Sequence, residues 1–152
     1  MIAVLREGSD VEPINIWRLY SRTWKKWYRC VERNLSSLGL GVNDYSTIRI
    51  LSEEGECNMA YLAEMLHVSQ GWMTGLIDKL EERGLVRRVR GDEDRRVIKI
   101  AITDLGRQTF EKARETHMRF VEKSLKSFSK EELREFYRLI EKLSENIDEI
   151  SQ

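Results

Sequence analysis

The chain has 152 residues, of which 41% are hydrophobic, and this is enough for one compact core and predicts a single unit over residues 1–152. Its 26 basic and 26 acidic side chains cancel, which excludes a general attraction to phosphate and makes the local placement of charge decisive. Charged residues from Arg6 onward interrupt the apolar start before a signal peptide or membrane span could form, so we expect a cytoplasmic protein with no membrane partner.

The first half of the chain predicts two helices separated by glycines. In the stretch 12–38, which the only proline opens, apolar residues recur every three or four positions, as on a helix with one broad apolar face. The glycine-rich segment 39–41 ends it. A second helix is predicted to begin with Asn43 or Asp44 as its N-cap and to stop at Gly55.

Two short helices are predicted next. Asn58 is a plausible cap for the first, over 59–66, and Ser69 for the second, which ends at Gly84. Because only two residues, 67–68, separate them, the helices must cross steeply, as in a helix-turn-helix. The second helix turns four apolar side chains inward: Met73, Leu76, Ile77 and Leu80.

The pattern then changes to the period of β-strands. Segments 85–89 and 97–102 are predicted strands, the second because isoleucines alternate with Lys99 and Ala101. The charged turn 90–96 between them is typical of a hairpin tip. A charged hairpin directly after a helix-turn-helix predicts a wing.

Two long helices complete the predicted fold, which is mainly α with a small β-hairpin wing. Thr103 or Asp104 can cap the first, and Ser129 starts the second. The second carries an apolar seam from Leu133 to Ile150 that resembles a coiled coil and is too long for one small domain to hide. We therefore expect 12–38 and 104–150 to be dimerisation helices.

Positive charge is concentrated between the end of the fourth helix and the second strand. Such a cluster suits DNA, because phosphate contacts supply non-specific affinity and set the register of a protein on the duplex. A solvated hairpin is the alternative for the cluster alone. With the neighbouring helix-turn-helix, we predict a winged, DNA-binding lobe at 43–102. The cations are Arg83, Arg87, Arg88, Arg90, Arg95, Arg96 and Lys99.

The second helix of the predicted helix-turn-helix is the expected recognition helix, because its N-terminal turns face base edges in such motifs. Gln70 is suited to read adenine, and two helix-weakening glycines suggest a close approach to DNA unless they are merely tolerated. Trp72 either packs on the preceding helix or contacts DNA. The predicted contact residues are Ser69, Gln70, Gly71, Trp72, Thr74 and Gly75.

The runs 61–66 (YLAEML) and 76–86 (LIDKLEERGLV), the motif Asp94-Arg95-Arg96 and the segment 102–106 (ITDLG) together resemble the MarR family of winged helix-turn-helix regulators. The resemblance covers about half the chain in detail. It implies a homodimer on a pseudo-palindromic operator, with Asp94 orienting an Arg96 that enters the minor groove and Arg95 at a phosphate. Trp72 and Gly75 depart from the small polar and basic residues often found in the family.

The resemblance also implies a cleft for a small phenolic or lipophilic effector. An aromatic stripe at helical spacing is more often core or dimer interface, and that alternative stays open. The candidate lining residues are Trp17, Tyr20, Arg22, Trp24, Trp27, Tyr28 and Tyr45.

No pattern in the sequence predicts an enzyme, a metal or a cofactor. Cys30 and Cys57 match no zinc or thioredoxin-like spacing, and His67 and His117 lie apart from any cluster of ligands. We therefore predict a sequence-specific regulator, with repression favoured, that binds double-stranded DNA as a homodimer. The alternative is a winged-helix module for protein or RNA contacts without operator binding.

Overall fold

The computed structural model describes residues 11–90 and 98–151. Within these residues the chain forms six helices and three strands, and the mainly α fold with a small antiparallel sheet is as predicted. The helices are α1 Pro13–Ser36, α2 Val42–Glu53, α3 Met59–Met65, α4 Gln70–Glu82, α5 Asp104–Leu125 and α6 Lys130–Ile150. The strands are β1 Cys57–Asn58, β2 Val86–Arg90 and β3 Ile98–Ile102.

The chain divides into two compact units, one ending at His117 and the other beginning at Met118. The first contains α1 to α4, the sheet and the start of α5, and the second contains the rest of α5 and α6. The predicted single unit over 1–152, with dimerisation helices at 12–38 and 104–150, stays a prediction. Over the two described ranges, every helix is too short or too polar to cross a membrane.

The predicted N-cap of α2 is wrong. The helix begins at Val42, with Gly41 as its cap, rather than after Asn43 or Asp44. The reason is that the carboxylate of Asp44 accepts a hydrogen bond from the backbone N–H of Gly41 at 2.9 Å. Asp44 therefore lies inside the first turn, where a carboxylate satisfies a free donor of the helix start.

The helix-turn-helix forms as predicted. The side chain of Asn58 accepts a hydrogen bond from the N–H of Tyr61 at 2.8 Å, and Ser69 caps α4 by accepting from Trp72 at 3.2 Å. Between the two helices, His67 adopts a φ of 52° and reverses the chain. The four inward residues of α4 are buried, at 8% exposure or less. These side chains anchor one face of α4 in the core.

The sheet contains a strand that the sequence did not predict. Its order is β1-β3-β2 and all pairs are antiparallel, with Cys57 of β1 opposite Ile100 of β3. The expected burial of alternate residues in β3 holds only in part, because Ile98 is 53% exposed and Ala101 is buried. Ile98 pairs with Arg90 at the end of the β2–β3 ladder, so Arg90 lies in a strand and not in the predicted turn 90–96. Residues 91–97 lie outside the described residues.

The start of α5 lies close to the residues just before the start of β2. Thr103 caps the helix by accepting from the N–H of Gly106 at 3.0 Å, and its hydroxyl donates to the carbonyl of Gly84 at 2.6 Å. A Cβ built on Gly106 would overlap the carbonyl oxygen of Leu85 and would lie 2.7 Å from Ile102. Only glycine fits between this strand and this helix.

Replacing Gly106 by alanine is therefore expected to destabilise the protein by about 3 kcal/mol or more, because backbone must move to relieve the overlap. Urea denaturation of the two proteins measures the difference. Arg107→Ala, at the exposed neighbouring position, should change the free energy of unfolding by no more than about 0.5 kcal/mol. A Gly106→Ala variant as stable as the wild type would contradict the contact.

A partly buried histidine packs on the core at the end of the first unit. The ring of His117 lies 5.4 Å from that of Tyr45, which itself stacks on Phe110 at 5.8 Å. Burial lowers the pKa of His117 from its ordinary value of 6.5. The folded state thus favours the neutral imidazole.

The pH dependence of stability follows from that shift. As the pH falls below about 6.5, the unfolded chain takes up a proton at His117 before the folded protein does, so the free energy of unfolding decreases. His117→Gln should lose less stability than the wild type between about pH 7.5 and 5.5 in urea titrations. A His117→Gln variant that loses as much stability as the wild type over this range would contradict the effect of the buried imidazole.

The second unit carries a well-defined helix start and a long apolar face. Ser129 and Glu132 form a reciprocal capping pair at α6, with hydrogen bonds of 2.8 and 3.1 Å, as the predicted start requires. Phe128 stacks on Phe136 at 6.0 Å. In one copy of the chain, the apolar seam is largely exposed at Phe136, Leu139, Ile140, Leu143, Ile147 and Ile150.

Candidate nucleic-acid interface

The outward face of α4 begins at its first turn. With the apolar residues buried, the side chains of Ser69, Gln70 and Thr74 are exposed. The hydroxyl of Thr74 donates to the carbonyl oxygen of Gln70 at 2.9 Å and retains lone pairs that can accept a hydrogen bond. The Gln70 amide has both donors and an acceptor, which is the set that pairs with an adenine edge.

Two glycines form the line of α4 that points most directly away from the core. Apart from the neighbouring backbone of α4, no atom of the described residues lies within 4 Å of a Cβ built on Gly71 or Gly75, so these residues leave room for side chains at both. Each glycine costs the helix roughly 0.5–1 kcal/mol relative to alanine. The contacts of the described residues do not explain this cost, and the predicted close approach of DNA at these glycines stays a prediction.

Trp72 lies on the flank of α4 and not in the core. It is 45% exposed and borders a cavity of about 470 Å³ together with Tyr28 of α1 and Lys79 of α4. The indole is thus accessible both to that cavity and to solvent. Both predicted roles of Trp72, packing on the preceding helix and contact with DNA, stay predictions.

The arginines of β2 differ in their surroundings. Arg87 and Arg90 are exposed, whereas the guanidinium of Arg88 pairs with Asp78 at 2.6 Å and with Glu81. The backbone N–H of Arg88 also donates to Glu81 at 2.9 Å. The hydrogen bond to Asp78, followed by that to Glu81, raises the pKa of Arg88.

Arg88 therefore bridges β2 to the recognition helix, a role that the charge pattern alone did not reveal. Any phosphate contact by Arg88 would have to share a guanidinium that two carboxylates already hold. Arg87 and Arg90 are better placed for phosphate. The wing residues Asp94, Arg95 and Arg96 lie outside the described residues, and their roles stay predictions.

The predicted ligand-lining residues do not all meet at one place. Tyr45 is buried at 8% exposure in the core. Tyr28 lines the 470 Å³ cavity beside α4, and Trp24 with Tyr28 borders a second cavity of about 390 Å³. The others lie along α1: Trp17, Tyr20 and Arg22 are exposed and Trp27 is half-buried.

Comparison with known proteins decides the family. The family model that matches is the MarR family, over residues 40–98. YpoP of Bacillus subtilis, named as an uncharacterised HTH-type transcriptional regulator, is 33% identical over 104 residues, which are 68% of this chain and 74% of YpoP. The chain belongs to the MarR family. The resemblance seen in the sequence is confirmed, and the chain is assigned to the DNA-binding transcription regulators.

Solved structures of MarR-family and related regulators share this fold. The regulator BldR from Sulfolobus solfataricus is 31% identical, with a TM-score of 0.72 over 91% of this chain and 99% of BldR. A MarR mutant from E. coli, solved with operator DNA, is 22% identical, with a TM-score of 0.76 over 89% of this chain and 99% of its own. The likeness to MarR concerns the fold alone.

The family assignment identifies the elements of the winged helix-turn-helix. In a MarR-family chain, α3 and α4 are the helix-turn-helix, and β2 and β3 are the strands that flank the wing. The exposed turn at Ser69 and Gln70 then lies on the same lobe as Arg87 and Arg90. Among the described residues, no three His, Cys, Asp or Glu side chains gather as a metal ion would need.

Proposed function

We propose that this MarR-family protein binds a specific, pseudo-palindromic DNA operator as a homodimer and represses transcription by occupying it. One observation carries the proposal: in the N-terminal turns of α4 the side chains of Gln70 and Thr74 are exposed, while a buried stripe that begins at Met73 anchors the helix in the core. A helix held in this way can place its first turns in the major groove. Repression follows because an occupied operator is closed to other proteins.

Each part of the interface is proposed to do a different task. Gln70 reads a base, and Ser69 and Thr74 bind a base or a phosphate. Arg87 and Arg90 bind phosphates and set the register on the duplex. The wing motif at 94–96 is proposed to place an arginine in the neighbouring minor groove.

The exposed apolar faces of α1 and α6 support a homodimer. In one copy of the chain, Trp17 is 62% exposed, Trp24 50% and Leu139 49%. Contiguous apolar faces of this kind on a single chain mark an interaction surface. A second copy with the same faces is the partner that a two-fold operator requires.

Titration of duplex DNA at several salt concentrations tests the proposal. Genomic fragments recovered with the purified protein supply the operator, and a scrambled duplex of equal length is the control. A specific regulator should bind the operator about 1,000-fold or more tightly than the scrambled duplex, with an affinity that falls steeply with salt. A module for protein contacts should show neither property. A module for RNA should prefer single-stranded or hairpin RNA over both duplexes.

Arg96→Ala is expected to weaken operator binding by about 1–3 kcal/mol, because the wing arginine would no longer enter the minor groove. The dimer should remain intact in sedimentation, and Arg134→Ala, which removes an exposed arginine from α6, should bind like the wild type. Unchanged affinity in Arg96→Ala would reject the minor-groove role.

The cavity beside α4 supports a small phenolic or lipophilic effector. Its volume of about 470 Å³ is in the range of ligand pockets, and it joins Tyr28 to Trp72 on the recognition helix. A ligand there would contact the element that reads DNA. Phenolic compounds titrated into the operator complex should release DNA, and failure of a representative set to do so would reject the effector while leaving operator binding intact.

A further inference from the structure

A buried carboxylate holds the side of the recognition helix that faces α2. The side chain of Asp44 is 3% exposed, and its Oδ2 accepts from the N–H of Gly41 at 2.9 Å. The same oxygen lies 3.1 Å from the Nζ of Lys79 and 3.5 Å from the guanidinium of Arg83. Lys79 lies in the last turn of α4, and Arg83 is the C-cap of that helix.

The burial of Asp44 gives these ion pairs their weight. A carboxylate removed from water is stable only when donors and cations replace its hydration. Here the backbone N–H of Gly41 and two cations replace it. The cations, Lys79 and Arg83, come 35 and 39 residues after Asp44 in the chain. The contact thus joins α2 to the C-terminal end of α4, which are far apart in the sequence.

The positions on α4 show what the pairs hold. At 100° per residue, Lys79 and Arg83 lie on one flank of α4, while Asp78 and Glu81 lie on the opposite flank. Arg88 of β2 forms ion pairs with both residues of that opposite flank. The outward line of Gly71 and Gly75 lies between these two ion-paired flanks.

We propose that Asp44 is a positioning residue for operator recognition, which holds α4 at the correct rotation and keeps Lys79 and Arg83 away from phosphate. The inference rests on the proposed function. Loss of the carboxylate would loosen one flank of α4 and would release two cations next to a DNA-binding surface.

The variant Asp44→Asn isolates the charge, because the asparagine oxygen can still accept from Gly41 and the side chain keeps its shape. We expect operator affinity to fall about tenfold, as the base-reading turns lose their alignment. Affinity for a scrambled duplex should stay equal or rise. The slope of log affinity against log salt should steepen by about one to two, since each freed cation can pair with a phosphate.

Lys79→Met provides a second test from the exposed partner, whose side chain is 56% exposed and tolerates replacement. The proposal predicts an unchanged slope of log affinity against log salt, because Lys79 pairs with Asp44 and not with a DNA phosphate in the wild type. A slope reduced by about 0.9 would show that Lys79 binds phosphate and would overturn the proposal. Arg49→Met, which removes an exposed pair with Glu53 on α2, is the matched control for a lost cation.

The outcomes separate the inference from the proposed function. A purely structural role for Asp44 would lower the affinity for operator and scrambled duplex by the same factor, with no change in slope, and would overturn the inference. If Asp44→Asn does not fold, the Lys79→Met slope decides. A wild-type protein without operator preference would instead reject the proposed function.

Discussion

Replacing Leu143 by aspartate is expected to convert the protein to a monomer and to reduce operator affinity by at least about 100-fold, because a monomer reaches only one half-site. Leu143 lies in the middle of the apolar face of α6, whose residues from Phe136 to Ile147 are between 41% and 52% exposed in one copy of the chain. A charge in this face cannot be buried against a second copy without a large desolvation cost.

Sedimentation at micromolar concentration measures the assembly, and titration of the operator measures the affinity. The matched control is Lys142→Asp, which places the same charge on the exposed polar side of α6 next to the apolar face. That variant should remain a dimer and bind the operator. A wild-type monomer, or a Leu143→Asp dimer with full affinity, would refute the role of this face.

Alanine at Gly75 or Gly71 is expected to have opposite effects on folding and on DNA binding. Each substitution should raise the free energy of unfolding by about 0.5–1 kcal/mol, because no side chain among residues 11–90 and 98–151 opposes a Cβ at either position and alanine favours the helix. Each should also weaken operator binding by about tenfold, because a methyl group would hold α4 away from the groove floor.

Urea denaturation and operator titration of the same protein samples measure the two effects. Gly106→Ala is the contrasting glycine variant, because Leu85 and Ile102 oppose its Cβ and it should lose stability. If alanine at Gly71 and Gly75 stabilises the protein without changing operator affinity, the glycines are merely tolerated. A loss of stability at these positions would instead contradict the open space around them.

Local signals predicted the helix-turn-helix well. Asn58 and Ser69 cap their helices through hydrogen bonds to N–H groups three residues further on. Such contacts depend on adjacent residues only, so sequence spacing is sufficient to find them. The same holds for the buried stripe of α4, because helical periodicity alone places those residues on one face.

Contacts between distant segments were not predictable in the same way. Strand β1 has only two residues, too few for an alternating pattern, and it exists because Cys57 and Asn58 pair with β3. Asp44 looked like a helix cap because its partners at Lys79 and Arg83 are far along the chain. The charge pattern predicted Arg88 as a DNA contact, because its partners Asp78 and Glu81 belong to another element.

The sequence by itself determined the order of the helices, the caps of α3, α4 and α6, the glycine line of α4 and the family, since each depends on neighbouring residues or on a contiguous motif. Only the tertiary structure decided which charges are exposed and which are held in ion pairs. Arg87 and Arg90 are exposed, whereas Arg88 and Lys79 face carboxylates from other segments. The physical reason is that an ion pair depends on distance in space, and folding brings together charges that are 7 to 39 residues apart in the sequence.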